Sequence, residues 1–157
     1  MVMRGCEMAS ARLWLRAWWI EALVLLAFTG LTLGMTYPLG LRMENSVRGL
    51  GDPLLSAWTM AWDVHAVQTG SFGSFFDANI FFPHERTLAY SEFLIPQAIL
   101  GAPVLLLSGN PILAFNVVFF VSLVASGFST YLLARYLTGD RLAGVFAGIA
   151  FAFSPFF

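Results

Sequence analysis

Four apolar stretches alternate with polar segments along the chain, at residues 17–36, 93–107, 112–137 and 142–157. A helix needs about 20 predominantly apolar residues to cross the hydrocarbon core of a bilayer, and the first and third stretches have that length. The second is shorter but is predicted to be a true span rather than a re-entrant segment, because neighbouring helices can satisfy a backbone interrupted by proline and glycine. The fourth is predicted to be an incomplete span.

Each of the last three apolar stretches follows residues that favour the start of a helix. These residues are Ser91 with Glu92, Asn110 with Pro111, and Gly139 with Asp140. The pattern therefore predicts an all-α membrane protein, a multi-pass transmembrane helix bundle. Its parts are an N-terminus at 1–16, a first span at 17–36, a long loop at 37–92 and three further helices within 93–157.

Small and polar residues inside the predicted spans indicate how the helices pack. Gly144 and Gly148 have the spacing that lets two helix backbones approach closely in lipid, and Ser122, Ser126 and Ser129 lie on one side of the third span. Asn116 lies within the same span and needs a hydrogen-bond partner there, which we expect from other helices.

The loop at 37–92 contains six of the nine carboxylates of the chain and far exceeds the length of an ordinary connection. Within it, Gly51, Asp52 and Pro53 predict a helix over about 52–68, with Asp52 as N-cap and Pro53 at the first helical position. Leu54, Leu55, Trp58 and Trp62 then fall on one face, which is typical of an amphipathic helix lying flat at a membrane interface.

The second half of the loop, at 72–90, is too rich in aromatic residues and too broken by proline to be a helix. It is predicted to fold back over the spans. Its phenylalanines are predicted to form an apolar plug against neighbouring helices: Phe72, Phe75, Phe76, Phe81 and Phe82. His84 with Glu85, and Tyr90 with Glu92, are candidate substrate contacts, although solubility or helix capping would also account for such residues.

Composition agrees with a membrane protein: 59% of residues are hydrophobic, 11% are charged and the mean hydropathy is +0.77. Nucleic acid is excluded as a partner because there is no basic cluster. Cys6 is the single cysteine, so the chain has no disulfide framework and no metal knuckle. Arg4, Arg12 and Arg16 precede an apolar run too long for a cleaved signal core, which predicts an uncleaved signal-anchor. With four spans the arginines count three on the N-terminal side against five on the other, so the positive-inside rule does not decide the orientation. We place the N-terminus in the cytoplasm and the loop outside, because the three N-terminal arginines directly adjoin the first span and those of the loop are diluted by six carboxylates.

Several motifs of the loop resemble a known family. These are Tyr37-Pro38-Leu39, Gly51-Asp52, the stretch from Asp77 to His84, the stretch from Thr87 to Glu92, and Gly109-Asn110-Pro111. In this order, after a charged N-terminus and one span, they resemble the N-terminal part of bacterial multi-pass membrane glycosyltransferases of the GT-C fold. The resemblance covers about residues 35–157.

The resemblance implies transfer of a sugar from a polyprenyl-phosphate donor to an acceptor hydroxyl outside the bacterial plasma (inner) membrane. It implies that Asp52 is the catalytic base or a ligand of a divalent cation such as Mg²⁺ or Mn²⁺; the residues alone show no fixed metal-ligand spacing. Family members have more spans, so the remaining C-terminal helices are expected partners and this fragment alone is expected to be inactive.

Two other functions remain open from the sequence. The chain is alternatively a non-catalytic membrane protein, a truncated product or accessory subunit, whose loop serves packing or partner binding. In that case Asp52 needs no role beyond capping, and a stop codon directly after Phe157 would favour this interpretation over further spans. A transporter or channel is disfavoured because Glu21 is the one charge in the spans.

Overall fold

The computed structural model describes the backbone of residues 3–81, 83–90, 92 and 94–154, with side chains described from Trp18 onward. Over these residues the protein is all-helical and no strand is present. The five α-helices are α1 (Met3–Met35), α2 (Asp52–Thr69), α3 (Ile95–Ser108), α4 (Pro111–Thr138) and α5 (Arg141–Ala152). Short 3₁₀ helices lie at Leu39–Leu41, Phe72–Ser74 and Thr87–Tyr90.

Two of these helices are long and apolar enough to cross a membrane: the Trp18–Met35 part of α1 and the 28-residue α4. Helix α3 has 14 residues and α5 has 12, both below the roughly 20 that a crossing needs. The sequence predicted three complete spans and an incomplete fourth; two of the described helices have the length and composition for a crossing, and α3 and α5 are shorter apolar helices. Helix α3 is short because Pro96 lies in its first turn and Gly109 ends it in the left-handed conformation.

Side-chain caps start two of the helices as predicted. The Asn110 side-chain oxygen accepts from the backbone N–H groups of Ile112 at 2.9 Å and Leu113 at 3.1 Å, at the start of α4. Asp140 caps α5 by accepting from the N–H of Leu142 at 2.9 Å. Helix α3 has Leu94 as N-cap without a side-chain hydrogen bond, and the predicted cap Ser91 lies outside the described residues.

The chain divides into two compact units, and α4 contributes to both. We call them the terminal unit, Met1–Thr36 with Val121–Phe157, and the central unit, Tyr37–Phe120.

In the terminal unit, close backbone approach at glycines holds the helices together. A Cβ atom added at Gly148 would lie 2.5 Å from the carbonyl oxygen of Gly127, and one added at Gly144 would lie 2.8 Å from that of Tyr131. Phe28 of α1 lies against both Gly127 and Gly148. The pairing of 144 with 131 and of 148 with 127 shows that α5 runs antiparallel to α4. The predicted packing role of the two α5 glycines is confirmed.

Glu21 of α1 has partners on both following helices of the same unit. Its carboxylate accepts from the Tyr131 hydroxyl at 2.7 Å and forms an ion pair with Arg135, and the Arg141 Nε lies 3.7 Å away. A carboxylate within a membrane span is stabilised by such pairing. Because Glu21 is near the start of the apolar part of α1 and Arg135 near the end of α4, these two helices are also antiparallel.

The central unit has a core formed by α2, α3 and the first part of α4. Met60 and Val64 of α2 contact Ala98 of α3 and Val118 of α4. Partly buried apolar residues surround this cluster: Leu94, Ala102, Leu105 and Phe115.

Asn116 connects the loop to α4. Its side-chain amide donates to the carbonyl oxygens of Met43 and Ser46, each at 2.7 Å. The partner expected from other helices is therefore supplied by the loop backbone. The Asn110 amide group also donates to the Glu44 carbonyl at 2.9 Å, so the two asparagines hold the loop against the first turns of α4.

We expect Gly148→Ala to destabilise the terminal unit by about 1–3 kcal/mol, because the added methyl group meets the backbone rather than a flexible side chain. Thermal unfolding of the detergent-solubilised protein measures the effect. Gly30→Ala is the matched control, since a Cβ atom there meets nothing within 4 Å. Equal unfolding temperatures for the two variants would contradict the close packing.

Candidate functional site: an acidic pocket at the start of α2

Asp52 is the first residue of α2 rather than its N-cap. The N-cap is Gly51, whose carbonyl accepts from the N–H groups of Leu54 at 3.1 Å and Leu55 at 3.3 Å. Accepting the first bonds within the helix is what defines the cap position. The predicted N-cap, Asp52, is therefore wrong by one residue. The Asp52 side chain makes no capping hydrogen bond, and its carboxylate is exposed.

Asp52 lines a pocket of about 170 Å³ together with a second carboxylate, that of Glu92. Ser56 and Thr59 follow Asp52 at helical spacing, so their hydroxyl groups lie on the same face of α2. The apolar members of the lining are Leu55 and Leu94. We call this site the acidic pocket.

Packing of α2 against α3 brings the two carboxylates together. Leu94 is the N-cap of α3 and contacts the core cluster that includes Met60 of α2. Glu92 precedes Leu94 by two residues, so it is held beside the start of α2 although it is 40 residues from Asp52 in the chain.

None of the polar side chains of the acidic pocket is engaged within the described part of the protein. Neither Asp52 nor Glu92 forms an ion pair or a hydrogen bond with a described side chain. The Thr59 hydroxyl is likewise without a described partner, although only 2% of this residue is exposed. Among the described residues, the pocket therefore presents two carboxylates and two hydroxyl groups that have no partner.

The other predicted substrate contacts are not part of this lining. His84, Glu85 and Tyr90 are exposed on the loop, and Tyr90 is 90% exposed at the end of a 3₁₀ helix. The structure thus brings together Asp52 and Glu92 among the five predicted site residues.

Asp77 forms a hydrogen bond within the second half of the loop. Its Oδ1 accepts from the Arg86 N–H at 2.6 Å, and the Thr87 hydroxyl donates to the Ile80 carbonyl at 3.2 Å. The Leu88 N–H donates to the Phe76 carbonyl at 3.2 Å. The stretch that carries much of the family resemblance is therefore held by its own backbone, with Asp77 in a structural position.

The predicted aromatic plug is formed only in part. Phe75 and Phe76 are half-buried and pack edge to face, with ring centres 5.4 Å apart. Phe72 and Phe81 are 68% and 73% exposed, and Phe82 lies outside the described residues.

One of the two tryptophans of α2 bonds to the second half of the loop. The Trp62 indole N–H donates to the Phe75 carbonyl at 2.9 Å, and the rings of Trp58 and Trp62 stack with centres 6.1 Å apart. Both are half-buried, whereas Leu54 and Leu55 remain exposed.

Asp63 is a buried carboxyl group that the sequence reasoning missed. It is 4% exposed, its Oδ2 has no hydrogen-bond partner among the described residues, and burial raises its pKa to about 6. It lies beside an apolar cavity of about 200 Å³ between α2 and α3. Its position between the buried Met60 and Val64 at helical spacing was the available signal.

The raised pKa of Asp63 makes stability depend on pH. The folded protein favours the protonated form, so this group's stabilising contribution is full below about pH 4 and is lost as pH rises through about 6. The loss is on the order of 3 kcal/mol. We expect Asp63→Asn, which stays neutral, to be more stable than the parent at pH 7.5 and close to it at pH 4.

Thermal unfolding of the detergent-solubilised protein between pH 4 and 7.5 tests this expectation. Glu44→Gln, which removes one exposed carboxylate outside both cavities, controls for the loss of a single negative charge. The same decline with pH in the parent and in Asp63→Asn would show that another group is responsible.

Comparison of the chain with protein-family models, with curated proteins and with solved structures gives no match.

Proposed function

We propose that this chain is part of a membrane glycosyltransferase with a GT-C-like fold, and that the acidic pocket is its acceptor site. The observation that supports the proposal is the juxtaposition of Asp52 and Glu92 with two hydroxyl groups in one open pocket. Free carboxylates beside hydroxyl groups are suited to binding and deprotonating a sugar hydroxyl.

In the proposed reaction, the Asp52 carboxylate takes the proton from the acceptor hydroxyl while that oxygen bonds to the anomeric carbon of the donor sugar. The bond from the anomeric carbon to the phosphate oxygen breaks, and the polyprenyl phosphate leaves with the bonding electrons. Glu92 and Thr59 orient the acceptor. A positioned base contributes typically 10²–10⁴-fold to such a step.

The departing phosphate needs a cationic partner, and the described pocket lining does not supply one. No group of three or more metal-ligating side chains lies together among the described residues. Asp52 and Glu92 are the carboxylates that would hold Mg²⁺ or Mn²⁺ beside the donor phosphate, where the ion would supply the positive charge.

The two-span arrangement supports an exterior position for the acidic pocket. Contacts of Glu21 with Arg135 and Arg141 support a topology in which the start of the first span and the end of α4 lie on one side of the membrane. Five arginines then flank that side and three lie in the intervening loop. The positive-inside rule favours a cytoplasmic location for the five. A plasma membrane location with the loop outside is therefore proposed. Four spans would instead have put three arginines on the N-terminal side of the membrane and five on the other.

Cysteine labelling of intact cells tests this topology. In a Cys6→Ser background, Glu85→Cys is expected to react with a membrane-impermeant maleimide added from outside. In the parent protein, which keeps Cys6, this cysteine is expected to react only after the membrane is permeabilised. The reverse labelling pattern would place the acidic pocket in the cytoplasm and overturn the proposal.

A transfer assay tests the catalytic assignment. The full open reading frame is expressed in membranes and supplied with labelled polyprenyl-phosphate sugars. We expect Asp52→Asn to lower transfer of the label by about 10²–10⁴-fold without changing membrane accumulation, since the amide keeps the shape but is not a base. Glu44→Gln is the control and is expected to keep full transfer.

Unchanged transfer by Asp52→Asn would exclude it as the base. No transfer from any donor by the parent would favour the non-catalytic alternative, in which the loop serves packing or partner binding.

A further inference from the structure

We propose that the acidic pocket recognises the ammonium group of a small organic molecule, such as an amino sugar. As an acceptor preference this rests on the proposed function, but the binding itself is a separate property of the pocket. The argument uses its charge, its unpaired hydroxyl group and its size.

The charge of the pocket favours a cation. Asp52 and Glu92 place two carboxylates around one space of about 170 Å³, and its described lining contains no lysine, arginine or histidine. The amino end of α2 offsets about half a charge, which leaves the pocket negative. An anionic ligand would be repelled, and a neutral ligand would leave both charges uncompensated.

The free hydroxyl group supplies a third acceptor. Thr59 is almost fully buried, lines the pocket and has no described hydrogen-bond partner. An ammonium group has three N–H donors. Two carboxylates and the Thr59 hydroxyl oxygen can therefore accept all three N–H bonds, with Ser56 as a further hydroxyl in the lining, and the bonds to the carboxylates are charge-assisted, which is the stronger kind.

The size and walls of the pocket indicate an organic cation rather than a metal ion. The volume is several times that of a water molecule, which occupies about 30 Å³ in the liquid. Leu55 and Leu94 give it apolar walls suited to the carbon frame of a sugar ring. Mg²⁺ can be held by one or two carboxylates with waters, so it is the apolar walls rather than the charge that favour an organic cation.

Binding of matched sugars to the full chain in lipid nanodiscs tests the inference. Glucosamine, glucose, N-acetylglucosamine and glucuronate are compared by ligand-observed magnetic resonance and calorimetry. We expect glucosamine to bind about tenfold or more tightly than glucose or N-acetylglucosamine, because only it carries the ammonium group. Glucuronate is expected not to bind.

Variants of the pocket residues test whether the acidic pocket causes the preference for glucosamine. Glu92→Gln and Asp52→Asn are each expected to reduce the preference for glucosamine over glucose to less than threefold, and Thr59→Val to weaken glucosamine while leaving glucose nearly unchanged. Glu44→Gln is the control and is expected to bind as the parent does. Normal unfolding temperatures for these variants show that folding is intact.

Three results would overturn the inference: equal affinity for glucosamine and glucose, an absence of glucosamine binding, or displacement of glucosamine by low concentrations of MgCl₂ or CaCl₂, which would identify a metal site instead. The transfer assay separates this inference from the proposed function. A preference for the amine without sugar transfer would support this inference and contradict the proposed function. Transfer to neutral acceptors without a preference for the amine would support the proposed function and contradict this inference.

Discussion

The contact between α2 and α3 is the interaction on which the candidate site depends. Met60 and Val64 on one helix and Ala98 on the other exclude water from the centre of the central unit. Burial of these apolar groups is the main favourable term, at about 25 cal/mol for each Å² removed from water. The same contact sets the position of the segment before α3, and hence the distance of Glu92 from Asp52. The acidic pocket is a product of this packing and not of any local motif.

Hydrogen bonds to backbone carbonyls explain how a long loop is ordered without strands. Asn116 and Asn110 reach from α4 to the first part of the loop, and Trp62 reaches from α2 to its second part. Asp77 closes a turn within that second part. In each case a side chain satisfies a backbone group that would otherwise need water or secondary structure. The loop is therefore ordered by hydrogen bonds from polar side chains that are widely spaced in the sequence.

Local chemistry made part of this structure predictable from the sequence. Asn110 and Asp140 cap their helices through bonds that span two or three residues, and the close packing of Gly144 and Gly148 follows from their spacing. Other features depend on contacts distant in the chain. The burial of Asp63, the loop partners of Asn116 and the meeting of Asp52 with Glu92 are set by how helices pack, which hydropathy does not encode.

The predictions that differed from the structure have the same origin. The apolar run at 93–107 begins two residues before α3, which covers Ile95–Ser108, because an apolar run does not reveal where the helix starts. That the face of α2 bearing Trp58 and Trp62 lies at a membrane interface stays a prediction; both rings are half-buried and Trp62 also bonds to the loop. Phe81 was placed in a plug on composition alone, whereas its backbone has a left-handed φ of 58° and the ring is exposed.

The ion pairing of Glu21 has a consequence for biosynthesis. Its hydrogen-bond partner Tyr131 is 110 residues later in the chain. At about 5–20 residues per second, a ribosome needs roughly 5 to 20 seconds to add that length. During this interval the first helix has emerged while its carboxylate lacks its countercharge. The contact between the two helices can therefore form only after α4 has been made.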